Sequence, residues 1–257
     1  MIRSLLIRGM IAGLVAGLLG FAFAKTVGEA SVERAIAFEA QHEHAHEGHE
    51  GHESAAHAHE HEGGEEIVSR ETQAGLGLLT GIAVFATALG GIFSLVFAVA
   101  YGRLGAFHAR GLAALLATFG FVSVTITPFL MYPPNPPAVG NPETIGARTA
   151  LFFGMLAISI AAAVFAVWLQ RRLHKSQGNW NATVIAGAAY IALMVLAQFV
   201  LPRVDEVPAG FSASLLWNFR LAAIGIQAII WTALGLVFGA LAARELERPA
   251  LRRMAAA

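Results

Sequence analysis

The sequence predicts an all-α fold: a polytopic integral membrane helical bundle with six predicted spans and a disordered His/Glu-rich external loop. Three observations predict it. Hydrophobic residues make up 56% of the 257 and charged residues only 13%, against about 25% charged in soluble domains. Six apolar runs each approach the roughly 20 residues that cross a bilayer. Positive charge alternates between the loops that separate those runs. The runs are continuous, so they do not read as the short alternating strands of a barrel. A lone segment crossing lipid must satisfy its own backbone, which makes each one a helix.

The first run, Leu5–Ala24, has two readings. Arg3 and Arg8, an apolar core and Ala22-Phe23-Ala24 describe a cleavable signal peptide, which would leave five spans. The apolar core reaches the upper length for a signal, which favours a retained anchor helix. Its Gly9, Gly13 and Gly17 recur every fourth residue, the small-residue spacing that lets two helices approach closely. The remaining runs are Gly75–Tyr101, Gly111–Met131, Thr149–Gln170, Asn181–Leu201 and Leu221–Ala243. The chain therefore divides into a first helix (1–24), an external loop (25–74), a five-helix membrane bundle (75–243) and a basic tail (244–257).

Orientation follows from the cations. With the N-terminus in the cytoplasm, Arg3, Arg8, Arg103, Arg110, Arg171, Arg172, Lys175, Arg244, Arg248, Arg252 and Arg253 lie inside. Only Lys25, Arg34, Arg70, Arg148, Arg203 and Arg220 of the 17 Lys and Arg residues lie outside. Of the 17 carboxylates only Glu245 and Glu247 fall inside. Both termini are then cytoplasmic, and the first, third and fifth loops are external. The second external loop contains Tyr132-Pro133-Pro134-Asn135-Pro136-Pro137, stiff because proline fixes its own φ and extends its predecessor.

Eight of the ten histidines fall in the first external loop, as His42, His44, His46, His49, His52, His57, His59 and His61. Imidazole suits zinc, copper, nickel, cobalt and iron, and the interleaved glutamates attract divalent cations. A structural zinc site wants four ligands at fixed offsets on a rigid frame. This stretch instead offers many ligands on a low-complexity chain, which reads as a fluctuating array that concentrates metal. On a multi-span membrane protein, such a loop points to transition-metal transport. The chain has no cysteine, so disulfides, thiolate metal sites and cysteine nucleophiles are excluded.

The spans themselves hold almost no charge. Polar candidates along an ion path are Ser94, Thr125 and Thr127 beside Pro128, Gln198 and Gln227, each also readable as ordinary packing. Pro128 is expected to free backbone carbonyls near the end of its helix. His108 and His174 read as interfacial residues beside basic side chains, and Met10, Met131, Met155 and Met194 as packing. No phosphate loop, H-E-x-x-H or G-x-S-x-G motif occurs, so nothing suggests an enzyme or a bound prosthetic group. No basic stripe with interleaved aromatics suggests nucleic acid. A non-transporting metal-binding scaffold or sensor remains the alternative to a transporter.

Several polar segments carry a family resemblance: Glu33-Arg34-Ala35-Ile36-Ala37-Phe38-Glu39, Tyr101-Gly102-Arg103, the run from Tyr132 through Gly146 with Arg148-Thr149, Trp180-Asn181-Ala182-Thr183, Val204-Asp205-Glu206-Val207-Pro208 and Leu216-Trp217-Asn218-Phe219-Arg220. Together they resemble the CbtA family, the larger membrane subunit of a predicted bacterial cobalt transporter. The resemblance runs over nearly the whole chain, and the proline-rich loop is its most specific part. It implies a bacterial inner-membrane protein, cobalt as the transported ion (with nickel or zinc as variants), a small single-span CbtB-like partner and a link to cobalamin supply. The family's usual Asn-Glu-Val-Pro reads Asp205-Glu206-Val207-Pro208 here, which keeps an oxygen ligand and adds charge. On this resemblance Asn135, Glu143, Asp205, Glu206 and Arg220 are expected near one another on the external face, as a site that admits a hydrated divalent ion. The alternative for the same residues is structural, with Arg220 pairing Glu143 or Glu206 to tie the loops together.

Overall fold

The computed structural model describes residues 1–47 and 69–246, and among those residues regular structure is helical, with no strand. Eight α-helices follow in chain order: α1 Ile2–Phe23, α2 Glu29–Glu47, α3 Arg70–Thr72, α4 Leu78–Ala100, α5 Ala109–Gly120, α6 Thr127–Met131, α7 Ile145–Val200 and α8 Ala213–Leu246. Wider π-helical turns at Ala24–Gly28, Gln73–Gly77 and Phe121–Ile126 join neighbouring helices without breaking them. Five long apolar helices result, each able by length and composition to span a membrane: Ile2–Gln41, Arg70–Ala100, Ala109–Met131, Pro142–Val200 and Ala213–Leu246.

Two of the five are the longest, at 40 and 59 residues. The first holds 40 residues, about 60 Å of helix at 1.5 Å per residue against a hydrocarbon core of about 30 Å. The helix of the first span therefore continues into the expected loop, and α2 places the backbone of His42, His44 and His46 in regular helix. Disorder was expected there, and the correction extends to Glu47. Lys25 to Gly28 keep helical hydrogen bonding and pass the helix on, so Val27–Phe38 continues the first helix. His49, His52, His57, His59 and His61 lie outside the described residues.

The fourth helix, Pro142–Val200, has 59 residues and holds two expected spans, Thr149–Gln170 and Asn181–Leu201. It does not run straight. Gly178 has φ 74° and ψ 168°, a conformation that only glycine adopts without strain. On either side the chain folds back on itself: Gln170 Nε2 donates to Asn179 Oδ1 at 2.9 Å, and the Ser159 and Tyr190 hydroxyls lie 2.8 Å apart. In a straight helix those two residues would be about 46 Å apart. Met155 and Ala162 of the outgoing arm and Met194 and Ala197 of the returning arm share one buried cluster. α7 is thus a hairpin of two apolar arms.

The chain forms two compact units. The first comprises Met1–Ala117, Pro136–Ala138 and the chain from Ala209, and the second comprises Thr118–Asn135 and Val139–Pro208. In the first, the glycines of α1 meet α4 at backbone distance. A Cβ on Gly9 would lie 2.5 Å from the Ser94 Cβ, and one on Gly13 would overlap the Ala86 carbonyl. Gly90 on α4 returns the relation toward Gly9 and Gly13. The four-residue glycine spacing is therefore used within the chain, and with no hydrophobic drive between helices in lipid such close packing is a main source of cohesion. On α8, Gly225 lies against the Phe23 ring, and Gly235 and Gly239 against Ala117 and Ala113 of α5. Phe93, Phe97, Trp231 and Phe238 fill the remaining space edge to face, with Phe97 and Phe238 centroids 5.0 Å apart. At one end of this unit Arg8 pairs with Glu245, which also accepts from the Ser4 hydroxyl. Elsewhere in it Arg70 pairs with the buried Glu29.

Candidate functional site

The second unit carries the expected admission residues Asn135, Glu143, Asp205 and Glu206, while Arg220 falls on α8 in the first. Within the second unit Glu206 is the organising side chain. Its Oε2 accepts from the Asn141 backbone N–H at 2.8 Å and from the Thr144 hydroxyl at 2.9 Å, with Arg148 Nε 3.4 Å away. Arg148 also donates from Nη2 to the Asn141 carbonyl at 3.1 Å. The turn that presents these donors is capped by Asn141, whose Oδ1 accepts from the Glu143 N–H at 2.9 Å ahead of Pro142 at the first helical position. Gly140 has φ 123°, and its bare α-carbon is what lets the Arg148 guanidinium lie against the backbone there.

Glu206 thus takes Asn141, Thr144 and Arg148 as partners. Glu143 and Asp205 are exposed, and Asn135 is half-buried. The arrangement cross-ties the proline-rich loop to the loop that follows α7. A second tie lies beside it, where the Tyr132 hydroxyl donates to the Pro202 carbonyl at 2.8 Å. Sequence reasoning missed Asn141, Thr144 and Arg148. Asn-Pro-x-Thr at a helix start carried the capping signal, but nothing local told which carboxylate its donors would meet.

The bonds to Glu206 set its acidity. The Asn141 N–H lowers its pKa most and the Thr144 hydroxyl next; burial opposes them less strongly, and the Arg148 charge adds the smallest lowering. The folded value lies below the ordinary glutamate value of about 4.5, so the carboxylate's contribution is complete above that ordinary value. It is lost as pH falls through the lower, folded value. The Asn141 amide is therefore expected to keep constant hydrogen-exchange protection from pH 7 to about pH 5, once intrinsic exchange is divided out. Protection then falls on further acidification. Glu206→Gln should abolish that acid step; an unchanged step in the variant would assign it to another carboxylate.

A different set of polar groups lies inside the second unit. Across Phe121–Ile126 the helix widens, and the Thr127 N–H donates to the Val122 carbonyl rather than to that of Ser123. The next residue, Pro128, has no N–H to give. The Ser123 carbonyl so freed accepts from the Ser159 hydroxyl at 2.7 Å. Since the single Ser159 proton is used there, Tyr190 donates to Ser159 Oγ at 2.8 Å, and Thr127 donates to Tyr190 at 2.8 Å. The expectation that Pro128 frees a carbonyl is met with a specific partner. Ser159 and Tyr190, both on the α7 hairpin, were not among the polar candidates. Their signal was present only as hydroxyls in apolar runs.

The other candidates fall elsewhere. The buried Ser94 hydroxyl donates to the Gly91 carbonyl of its own helix at 2.7 Å, and Gln198 is exposed on α7. His108 is exposed just ahead of α5, and His174, expected in a loop, is exposed within the helix of α7 shortly before Gly178. Among the described residues no group of three or more His, Asp or Glu side chains could hold a metal ion.

Compared with known proteins, residues 2–243 match the family model described as CbtA, probable cobalt transporter subunit. No curated protein and no solved structure matches the chain.

Proposed function

The chain belongs to the CbtA family of probable cobalt transporter subunits, and from that premise we propose that it captures a divalent transition metal outside the cell and conducts it inward. Cobalt is the ion the family description names, and nickel or zinc are variants of the same chemistry. The observation that carries the reading is the family match over 2–243, which takes in every long apolar helix but the last residues of α8. The His/Glu segment from His42 to His61 serves as the concentrator, an array of imidazoles that exchange ligands quickly. The two arms of α7 each cross the membrane, for six crossings in all, with both termini in the cytoplasm and the His-rich segment outside. The first helix stays in the mature chain; its close fit to α4 supports this, since cleavage after Ala24 would strip the Gly90 face of its partner. A small single-span CbtB-like subunit completes the transporter. The cross-tied loops around Glu206 stand at the outer face, where Glu143 and Asp205 offer exposed oxygen ligands.

The test is uptake of radioactive cobalt into cells lacking other cobalt importers, with the chain and its small partner co-expressed and nickel and zinc as competitors. Saturable accumulation is expected. Deleting residues 41–66 should reduce it most at low cobalt, raising the half-saturating concentration about tenfold or more, as expected when a local concentrator is removed. No accumulation by correctly inserted protein would move the assignment to a metal-binding scaffold or sensor. Unchanged low-cobalt uptake after the deletion would remove the concentrator role.

A further inference from the structure

Four buried polar residues of the second unit, Ser123, Thr125, Thr127 and Ser159, gather at the widened turn ahead of Pro128. Ser159 is fully buried and Thr125 is 2% exposed. The runs that surround them, 118–131, 149–170 and 181–200, contain no Asp, Glu, His, Lys or Arg. The oxygens there are neutral: one carbonyl released from its helix, and three hydroxyls linked in a chain that ends on it.

We propose that the Ser123 carbonyl and the hydroxyls of Ser159, Tyr190 and Thr127 form a binding site for a dehydrated monovalent alkali cation. The donor set decides the charge of the ligand. The desolvation penalty of an ion in an apolar interior grows with the square of its charge, and a divalent ion there needs a carboxylate or other counter-charge. Neutral hydroxyl and carbonyl oxygens suit a hard, singly charged ion. They resemble the unwound backbone carbonyls that coordinate sodium at helix breaks in secondary transporters.

Lone-pair counting allows the site to open. Ser159 Oγ, in accepting from Tyr190, retains one lone pair, and Thr127 Oγ1, at the head of the chain, donates without accepting. Serine and threonine in helices can turn their protons onto the carbonyl four residues back. For Thr127 that carbonyl is Ser123, and for Ser159 it is Met155. With those two protons turned away and Tyr190 still donating to Ser159 Oγ, each of the four oxygens keeps a lone pair, and a cation takes the place of the Ser159–Ser123 and Thr127–Tyr190 hydrogen bonds. A role for this ion in driving metal uptake rests on the transporter reading above; the binding itself does not.

The experiment is thermal unfolding of the full-length protein in detergent, titrated with sodium chloride or potassium chloride against choline chloride at constant ionic strength. A saturable rise in the midpoint is expected with one alkali ion and none with choline. It should be on the order of 5 °C at a hundredfold excess over Kd. Tyr190→Phe removes one oxygen and keeps the ring, so it should fold in choline and need about tenfold more cation for the same rise. Ser159→Ala should abolish the response; should it fail to fold, the wild-type titration and Tyr190→Phe decide. Equal midpoints in all three salts would overturn the proposal. So would a wild-type response in Tyr190→Phe, or a saturable rise with cobalt chloride alone, which would assign the oxygens to the cargo. Absence of cobalt uptake in cells would defeat the transporter reading and leave a sodium or potassium response standing.

Discussion

Gly13→Ala is expected to destabilise the protein by about 2–4 kcal/mol, at and beyond the upper end of ordinary overpacking, although alanine is the better helix former. The added methyl would overlap the Ala86 carbonyl of α4 and come within 3.0 Å of the Thr87 Cα. Those obstacles are backbone atoms, which cannot rotate aside as a side chain can, so the helices must separate. Separation also loosens the fit at Gly9, where the Ser94 side chain stands as close. Gly81→Ala on α4 is the matched control, since nothing lies within 4 Å of its Cβ position. It should be neutral or gain up to about 1 kcal/mol from helix propensity. The check is the midpoint of denaturation in detergent for both variants. Equal midpoints would mean that α1 and α4 are not held at backbone distance. The same result bears on the first helix as a permanent member of the bundle, because a removable leader would have no reason to tolerate only glycine there.

Gly178→Val carries the second large effect, expected at about 1–3 kcal/mol for a β-branched residue forced to positive φ. No atom lies within 4 Å of the Gly178 Cβ position, so the penalty is backbone strain alone and no repacking relieves it. The chain has one other way out, which is to keep the helix straight through the turn. That would part Ser159 from Tyr190 and Met155 from Met194. Gly187→Ala on the returning arm, also in open space, should instead be neutral or mildly stabilising. Thermal unfolding of the two variants, with cysteine cross-linking of positions 159 and 190 as a probe of the hairpin, separates strain from straightening. A Gly178→Val protein as stable as the parent would show that the turn does not need glycine's φ.

Much of this architecture was legible from one-dimensional patterning, because lipid imposes a rule each segment must meet alone. A run of about 20 apolar residues must be helical whatever its neighbours are. Hence Gly75–Tyr101 and Gly111–Met131 appear nearly as expected within Arg70–Ala100 and Ala109–Met131. The helix ends were less legible where no such rule acts. α2 runs to Glu47 through Glu, Ala, Gln and His residues that carry no apolar period, and composition alone favoured a loop. The glycine spacing of α1 announced a close-packed face, but a spacing describes one surface and not its partner. α4 supplies the partner through Ala86 and Gly90.

The sequence by itself determined the class of fold, the apolar segments that build it and the family to which the chain belongs. Each of these depends on local composition or on motifs read along the chain. Only the tertiary structure decided that Glu206 is held by Asn141, Thr144 and Arg148, some 60 residues away (62 in sequence for Thr144). Only it decided that Ser159 and Tyr190 meet the carbonyl freed at Ser123. Such pairings depend on the turn at Gly178 and on which faces of neighbouring helices come together. In a chain whose spans are alike in composition, many pairings would bury similar surface. The selection falls to a few close contacts and hydrogen bonds that no local pattern encodes.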